Sequence, residues 1–283
     1  MSSDHARRFG GIDRLYGSGA VANAAAAHVV VIGIGGVGSW AVEALARSGI
    51  GRLTLIDLDH VAESNINRQI QALESTLGAA KVLAMRERVL AINPACVVDT
   101  IEEFIDEANV ATLVPRCDAV IDAIDNVRAK AALIAHCCRE KNRIVTTGGA
   151  GGRTDPTRVE IDDLSRTVQD ALASKVRARL RKEYGFSRDP KKKFGVACVF
   201  SQEQITRPLQ GSGDSAQSPP GAGTEQCSAN SPHRPATADS CETPPVDGAA
   251  GLACAGYGSS VAVTASFGFA AAARVLADIL RPS

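Results

Sequence analysis

The feature that most constrains the fold is a cluster of glycines between an apolar run and a segment with helical spacing. The apolar run, His28 to Ile32, predicts a buried strand, and Val37 to Ser48 has the spacing of a helix. Glycines at such a turn let the backbone approach a phosphate group, and the helix N-terminus favours negative charge. A tight turn without any ligand is the alternative explanation for this cluster, which consists of Gly33, Gly35, Gly36 and Gly38.

The first two-thirds of the chain alternates short β-branched runs with longer helical patterns. This alternation predicts βαβ units and a parallel sheet with short connections. We therefore expect one doubly wound, mostly parallel α/β domain of the Rossmann-like type over residues 1–283. Further strands are predicted at residues 52–57, 96–101, 119–124 and 143–147, and further helices at residues 78–93 and 126–141.

Composition excludes several classes of protein. The 31 basic and 31 acidic residues cancel, so net charge predicts no partner. The eight cysteines include no C-x-x-C pair, which argues against a structural zinc site and a disulfide scaffold. The N-terminal residues lead into no apolar signal region. We expect a cytoplasmic protein with reduced thiols.

Two later segments depart from the alternating pattern. Residues 205–250 hold seven of the twelve prolines among Gly, Ser and Ala, which predicts a flexible insertion within the domain. Residues 249–273 carry no formal charge and are long enough to cross a bilayer. Their small and polar residues favour a buried or interface helix near the C-terminus over a membrane segment.

The second and fourth predicted strands both end at charged or amide residues. A carboxylate at Asp57 suits ribose hydroxyls, and up to this residue an NAD-binding domain explains the pattern equally well. Two later cations, Arg68 and Lys81, suit a triphosphate, and a carboxylate at Asp125 suits Mg²⁺. Taken singly, each of these residues could be a surface charge or, like Asn126, a helix cap.

Together these motifs resemble the adenylating core of the E1-like family that includes ThiF and MoeB. The matching motifs are G-x-G-G-x-G-S, D-x-D, S-N-x-N-R-Q, Lys81 and D-N, over residues 8–152. The resemblance implies an E1-like fold, with Arg68, Lys81 and Asp125 as catalytic residues and Asp125 as the Mg²⁺ ligand. It also implies an ATP site that comprises the four glycines, Asp57, Asp59, Asn65, Arg68, Gln69, Lys81, Asp125 and Asn126.

Three further segments resemble the tRNA threonylcarbamoyladenosine dehydratase branch of that family, namely residues 8–17, 196–201 and 254–268. The resemblance implies a tRNA substrate whose free carboxylate is activated by ATP and then attacked by the neighbouring carbamoyl group. It further implies a homodimer. Cys254 is a candidate reactive thiol, in which case a cysteine desulfurase or another sulfur-transfer protein would be a partner.

A basic segment at residues 175–193 provides an independent indication of RNA binding. It contains nine Lys or Arg residues and only two acidic ones, a balance that suits phosphate contacts. Tyr184, Phe186 and Phe194 lie among them and either stack on bases or pack inward. The candidate tRNA-binding residues are Lys175, Arg177, Arg179, Arg181, Lys182, Lys191, Lys192 and Lys193.

Three other functions stay open at the level of sequence. The first is a sulfur-carrier adenylyltransferase, although such enzymes often have zinc-binding C-x-x-C pairs and an N-terminal arginine where this chain has Gly11, with Arg14 nearby. The second is an NAD-dependent oxidoreductase. The third is a non-catalytic RNA-binding scaffold that has kept the fold.

Overall fold

The computed structural model describes residues 3–206 and 257–280. Eight helices and seven strands occur within these ranges. The helices are α1 Ser3–Tyr16, α2 Ala20–Ala26, α3 Gly38–Arg47, α4 Lys81–Ile92, α5 Val110–Leu113, α6 Val127–Arg139, α7 Ala171–Glu183 and α8 Val261–Leu280. The strands are β1 His28–Ile32, β2 Arg52–Ile56, β3 Val97–Ile101, β4 Ala119–Asp122, β5 Ile144–Thr147, β6 Val159–Asp163 and β7 Ala197–Ser201.

The strands form one sheet in the order β3-β2-β1-β4-β5-β7-β6. Every neighbouring pair is parallel except β6 and β7, which are antiparallel. The chain moves outward from β1 to β3 and then returns to place β4 on the other side of β1. This reversal creates a crevice at the carboxyl ends of β1 and β4, where ligands bind in open α/β sheets. The predicted mostly parallel, doubly wound fold is confirmed.

The register of the central strands brings their final residues to one level. Ile32 pairs with Ile56 on one side and with Asp122 on the other, and Ile56 pairs with Ile101. The segments that follow β1, β2, β3 and β4 therefore emerge side by side. The residues that follow these four strands are consequently neighbours in space.

Successive side chains of a strand point to opposite faces of the sheet, so the hydrophobic core is divided between the two faces. Val29 and Val31 of β1 belong to the cluster formed with α3, α4 and α8. Val30 and Ile32 belong to the cluster on the other face, formed with α6 and α7. All four side chains are at most 2% exposed, so β1 is buried on both faces, as expected of a central parallel strand.

Helix α8 is a core helix in this structure. Within the described ranges it is the one helix long and apolar enough to cross a membrane, and more than half of it is buried inside the protein. Phe267, Ala271 and Val275 pack into the same cluster as α3. The two helices come close together at Gly268, where an added Cβ atom would lie 2.5 Å from the Val37 carbonyl oxygen. The packing favours the buried-helix interpretation.

Elements around β1 to β5 lie within a few residues of their predicted positions. The two N-terminal helices, the helices α5 and α7, and the last two strands β6 and β7 were not predicted from the sequence. The predicted insertion at residues 205–250 falls almost entirely outside the described residues. The C-terminal helix runs past the uncharged stretch and includes Arg274 and Asp278, which form an ion pair one turn apart at 2.5 Å.

Candidate nucleotide-binding site

A cleft of about 580 Å³ lies at the carboxyl ends of β1, β2, β4 and β5. It contains all of the predicted nucleotide-site residues except Gly38. Residues that are far apart in the sequence are therefore brought together as the motifs predicted. Those lining the cleft are Gly33, Gly35, Gly36, Asp57, Asp59, Asn65, Arg68, Gln69, Lys81, Asp125 and Asn126.

The glycine turn is shaped by two positions that exclude a side chain. Gly33 has a φ of 85°, and a Cβ atom there would lie 2.8 Å from the Ala123 carbonyl oxygen. A Cβ atom on Gly38 would overlap the Gly33 carbonyl oxygen. Gly38 thus lets the turn close on itself rather than lining the cleft. The bare backbone between them suits close approach of a phosphate.

Asp57 is oriented by backbone amides at the base of the cleft. Its Oδ2 accepts a hydrogen bond from the Ile34 amide at 2.5 Å, and its Oδ1 accepts one from the Asp59 amide at 2.8 Å. Burial raises the pKa of this carboxyl group, while the nearby Lys81 charge and the two amides act in the opposite direction. The carboxylate is held in one orientation next to the glycine turn.

Lys81 is buried and is held by a second carboxylate. Its Nζ lies 2.7 Å from Asp59 Oδ2, and its side chain is 7% exposed whereas that of Asp59 is 53% exposed. The ammonium group therefore has a fixed position at the start of α4 without any ligand. Asp59, the more exposed partner, is free to exchange this ion pair for another contact.

Arg68 lies across the glycine turn. A Cβ atom on Gly36 would lie 3.2 Å from Arg68 Cγ, so the arginine stem covers that glycine. The guanidinium Nη1 donates to the Ser64 carbonyl at 2.5 Å and to Asn67 Oδ1 at 3.0 Å, and Trp40 Nε1 donates to the Arg68 carbonyl at 2.9 Å. These contacts hold a cation beside the place where a phosphate would lie.

Asp125 and Asn126 are neighbours in the sequence but have different roles in the structure. Asn126 Oδ1 accepts hydrogen bonds from the amides of Arg128 and Ala129, so Asn126 is the N-cap of α6. Asp125 lines the cleft, is partly exposed, and its carboxylate accepts no hydrogen bond from the residues that the structure describes. Its oxygens are therefore available to a ligand.

A magnesium ion fits this arrangement only if a ligand shares it. Within residues 3–206 and 257–280, no group of three or more His, Cys, Asp or Glu residues could hold a metal ion. Magnesium is commonly bound by one or two carboxylates together with substrate phosphates and water. Asp125 beside a phosphate-binding turn matches that donor set.

A buried polar network beneath the cleft was missed at the level of sequence. Lys130 Nζ lies 2.9 Å from Asp122 Oδ1, and the two side chains are 2% and 0% exposed. Thr146 donates its hydroxyl to Asp122 Oδ2 at 2.7 Å. The one sequence feature that could have indicated this network is a lysine within an apolar stretch of helix, between Ala129 and Ile134.

The basic segment separates into internal and exposed cations. Arg177 donates to Thr167 and to the Leu164 carbonyl, and Arg181 donates to the Ser187 carbonyl. Arg179 pairs with Glu183 at 2.7 Å and with Glu107 at 3.6 Å. The exposed basic patch is what remains, namely Lys175, Lys182, Arg188, Lys191, Lys192 and Lys193.

The aromatic residues of this segment pack inward. Tyr184, Phe186 and Phe194 contact the core cluster on the α6 and α7 face. The rings of Phe186 and Phe194 lie 5.0 Å apart, edge to face, and Arg181 covers the Phe194 ring. Of the two interpretations of these rings, the structure favours core packing over stacking on bases. Cys254, the candidate reactive thiol, lies outside the described residues.

The fold and the cleft define an α/β nucleotide-binding protein in which an arginine, a lysine and an aspartate converge on a glycine turn. The model of the ThiF family matches residues 12–277 of the chain. The chain therefore belongs to the ThiF family.

Relatives of nearly full length narrow the branch within that family. The chain is 46% identical over 280 residues to tRNA threonylcarbamoyladenosine dehydratase of Haemophilus influenzae, covering 98% of this chain and 95% of that protein. It is 45% identical over 276 residues to the Escherichia coli enzyme of the same name, covering 97% and 94%. The E. coli enzyme in complex with ATP has a similar crystal structure, with a TM-score of 0.79, 43% identity and coverage of 97% and 94%.

Proposed function

We propose that this protein catalyses the ATP-dependent dehydration of threonylcarbamoyladenosine in tRNA, which closes a ring. The observation that carries this proposal is the convergence of Arg68, Lys81 and Asp125 on the glycine turn in one cleft. Similarity over nearly the whole chain to enzymes named for this reaction supports the choice of substrate. The same full-length match argues against a sulfur-carrier adenylyltransferase and an NAD-dependent oxidoreductase.

The proposed reaction has two steps at the threonyl carboxyl group: adenylation of the carboxylate, and then displacement of AMP by ring closure. The carboxylate attacks the α-phosphate of ATP, which gives an acyl-adenylate and releases pyrophosphate. The neighbouring carbamoyl group then attacks the activated carbonyl, loses a proton and displaces AMP. One water is lost overall from the nucleoside, and ATP supplies the driving force.

The residues of the cleft have separate tasks in this scheme. Asp57 receives the ribose hydroxyls, and the glycine turn receives the phosphates. Arg68 and Lys81 stabilise the negative charge that shifts between phosphates during adenylation. Asp125 would hold a magnesium ion, which would offset phosphate charge. The cleft also has to keep water from the acyl-adenylate, because hydrolysis would compete with ring closure.

The proposal includes an RNA-binding surface, a cellular location and an oligomeric state. The exposed basic patch supplies sequence-independent affinity for tRNA phosphates. Helix α7 links this patch to the cleft, because Leu172 near its start lines the cleft and Lys182 lies near its end. We further propose a cytoplasmic homodimer. A sulfur-transfer partner that acts through Cys254 stays a prediction, since ring closure itself needs no thiol.

The decisive experiment is nucleoside mass spectrometry on tRNA that carries threonylcarbamoyladenosine. The tRNA is incubated with the protein and Mg-ATP, and with the protein alone. We expect the nucleoside to lose the mass of one water only when ATP is present. No mass change from a preparation that binds ATP would overturn the proposed substrate, and the search would move to a small carrier protein as acceptor.

A non-catalytic RNA-binding scaffold is tested by the same assay with one variant. Arg68→Ala should abolish the mass change and leave tRNA binding intact if the protein is an enzyme. A wild-type protein that binds tRNA and ATP but gives neither AMP nor a modified nucleoside would instead favour the scaffold.

A further inference from the structure

A buried ion pair joins the two ends of the turn that carries Asp125. Asp122 is the last residue of β4, and Lys130 is the fourth residue of α6. Lys130 Nζ lies 2.9 Å from Asp122 Oδ1 and donates to the Asp122 carbonyl at 3.2 Å. The pair therefore joins the residue before the turn to the helix after it, and Asp125 lies on the turn between them.

Asp122 also connects this turn to β5. Its Oδ1 accepts from the Ile124 amide at 3.1 Å, and its Oδ2 accepts from the Thr146 hydroxyl at 2.7 Å. Its carbonyl accepts from the Thr147 hydroxyl at 3.2 Å. Thr147 and the residue after it, Gly148, line the cleft together with Ala150 and Gly151. One buried carboxylate thus fixes both segments that border the Asp125 side of the site.

Stability alone does not account for a buried ion pair at this place. Replacing such a pair with apolar residues of similar volume is often neutral or stabilising, because removing two charges from water offsets their attraction. The side chains of Lys130 and Asp122 are 2% and 0% exposed, so the cost of removing them from water is large. A requirement for one fixed geometry of the turn is a reason to keep them.

We propose that Lys130, Asp122 and Thr146 are positioning residues that hold the Asp125 carboxylate in the orientation that its ligand requires. This inference rests on the proposed role of Asp125 in the nucleotide site. None of the three residues touches the reacting atoms. Their effect comes from geometry, since displacing a catalytic group by about 1 Å can lower a rate by about a hundredfold.

The first test compares Lys130→Met with Arg88→Met in the full-length protein. Arg88 pairs with the buried Glu43 at 2.6 Å, between α4 and α3 and away from the cleft. Calorimetry measures the affinity for a non-hydrolysable ATP analogue with and without Mg²⁺, in the absence of RNA. We expect Mg²⁺ to strengthen binding to the wild type and to Arg88→Met, and this gain to be largely lost in Lys130→Met.

A double-mutant cycle asks whether Lys130 acts through Asp125. In the wild-type background, Lys130→Met should lower the single-turnover rate by about tenfold or more. In the Asp125→Ala background it should lower single-turnover rates by less than about twofold, because the group that it positions is already absent. Equal effects in the two backgrounds would overturn the proposal.

Thr146 provides a milder test in case Lys130→Met does not fold. Thr146→Val keeps the shape and removes the hydroxyl, whereas Thr146→Ser keeps the hydroxyl. Thr54→Val is the matched control, because Thr54 is a buried threonine of the same sheet whose hydroxyl bonds His28 instead. We expect Thr146→Val to reduce the gain in affinity from Mg²⁺ and Thr146→Ser to restore it, with Thr54→Val unchanged.

The outcomes separate this inference from the proposed function. If Thr146→Val and Thr54→Val lower the melting temperature alike and leave the Mg²⁺ effect intact, the network is only structural and the inference is wrong. If the Mg²⁺ effect falls as expected but no tRNA nucleoside changes mass, the positioning role stands and the proposed substrate is wrong.

Discussion

At the residue scale, the cleft is notable for how many of its charged groups are already held before any ligand arrives. Asp57 is held by two amides, Lys81 by Asp59, and Arg68 by Ser64 and Asn67. Groups fixed in this way need little reorganisation when charge develops on a substrate, which is the main source of electrostatic catalysis. The protein's own contacts therefore orient Arg68 and Lys81 toward an anionic ligand and Asp57 toward hydroxyl groups.

Removing one of these groups should be costly for turnover. We expect Arg68→Ala and Asp125→Ala each to lower kcat by at least about a hundredfold, in line with the loss of one preorganised electrostatic contact. Steady-state release of AMP in the presence of substrate tRNA measures the effect. Arg86→Ala is the control, because Arg86 is an exposed cation on α4 outside the cleft. Near-normal rates in either site variant would contradict the assignment.

Asp163 illustrates a carboxylate whose task is structural. It lies at the end of β6 and accepts hydrogen bonds from the amides of Ser165, Phe194 and Gly195. Burial acts to raise its pKa, but these hydrogen bonds outweigh burial and lower the pKa of the carboxyl group below its usual value. The same bonds fix the segment that follows the exposed basic patch.

A lowered pKa in the folded state makes the contribution of Asp163 to stability depend on pH. The contribution is fully present above the unfolded-state pKa of about 3.9 and is lost as pH falls through the folded-state pKa. Asp163→Asn should therefore lower the free energy of unfolding by roughly 2 kcal/mol at neutral pH. Urea denaturation at several pH values should show this difference shrinking below about pH 4. A difference that does not change with pH would contradict the argument.

At the scale of secondary-structure elements, β1 to β5 and the helices α3, α4 and α6 could be predicted from their hydrophobic pattern, and most of them are bounded by glycine or proline. The short helix α5 was not predicted. Strand β6 could not be predicted, because Glu160 and Asp162 lie on an exposed edge strand and dilute its apolar pattern. Helix α1 has large apolar side chains at helical spacing only in its second half, at Phe9, Ile12 and Tyr16, and α2 consists mostly of alanine. Their positions depend on contacts with the rest of the fold.

The same distinction applies to the candidate site. Residues that follow strand ends could be predicted, because the topology of a doubly wound sheet brings those ends together. The Asp122, Lys130 and Thr146 network could not, since its members come from three elements and each has an ordinary local explanation. Likewise the sequence does not separate Arg177, which is used internally, from Lys175, which is exposed.

The contact between α8 and α3 is expected to tolerate no side chain at Gly268. A Cβ atom there would lie 2.8 Å from Trp40 Cβ as well as close to the Val37 carbonyl. Gly268→Ala should lower stability by about 1–3 kcal/mol through overpacking. Gly10→Ala in α1 is the matched control, because nothing lies within 4 Å of its added Cβ, and it should be neutral or stabilising. Thermal unfolding of both variants measures the difference, and equal melting temperatures would refute the close contact.

The exposed basic patch makes a prediction about salt. Changing Lys191, Lys192 and Lys193 to Gln should weaken tRNA binding and reduce the slope of log affinity against log salt by roughly two to three. The control removes three exposed cations elsewhere, by changing Arg86, Arg116 and Lys141 to Gln. Binding to ATP should be unchanged in both. If the two triple variants bind tRNA equally well at every salt concentration, the patch is not the RNA surface.

At the scale of the whole molecule, the site depends on the reversal in strand order. The turn after β1 and the turn after β4 lie side by side because Ile32 pairs with Asp122. The glycine turn and the Asp125 turn therefore belong to opposite halves of the sheet and meet at its centre. The antiparallel β6 and β7 extend the sheet away from this point and support α7, whose Leu172 lines the cleft.

We expect residues 207–256 to be dispensable for nucleotide chemistry, because the described residues on either side of them already bring the predicted nucleotide-site residues together in the cleft. Deletion of residues 212–246 should leave ATP binding and AMP formation within about twofold of wild type. Loop-closure entropy changes slowly with length, so the free energy of unfolding should change by about 1 kcal/mol at most. Isothermal calorimetry and urea denaturation check both statements. A variant that fails to fold would show that the segment is structural.

Gly152 accepts an amide hydrogen bond from Thr206 at 2.8 Å and donates its own amide to the Gly258 carbonyl at 3.0 Å. Both flanks of the 207–256 stretch thus meet at one residue, and α8 beyond it is held by burial against α3 and the sheet. A protease that nicks the chain once within that stretch should consequently leave two fragments that migrate together until they are denatured. We therefore expect an unbroken chain within residues 207–256 to matter more for folding than for the stability of the folded state.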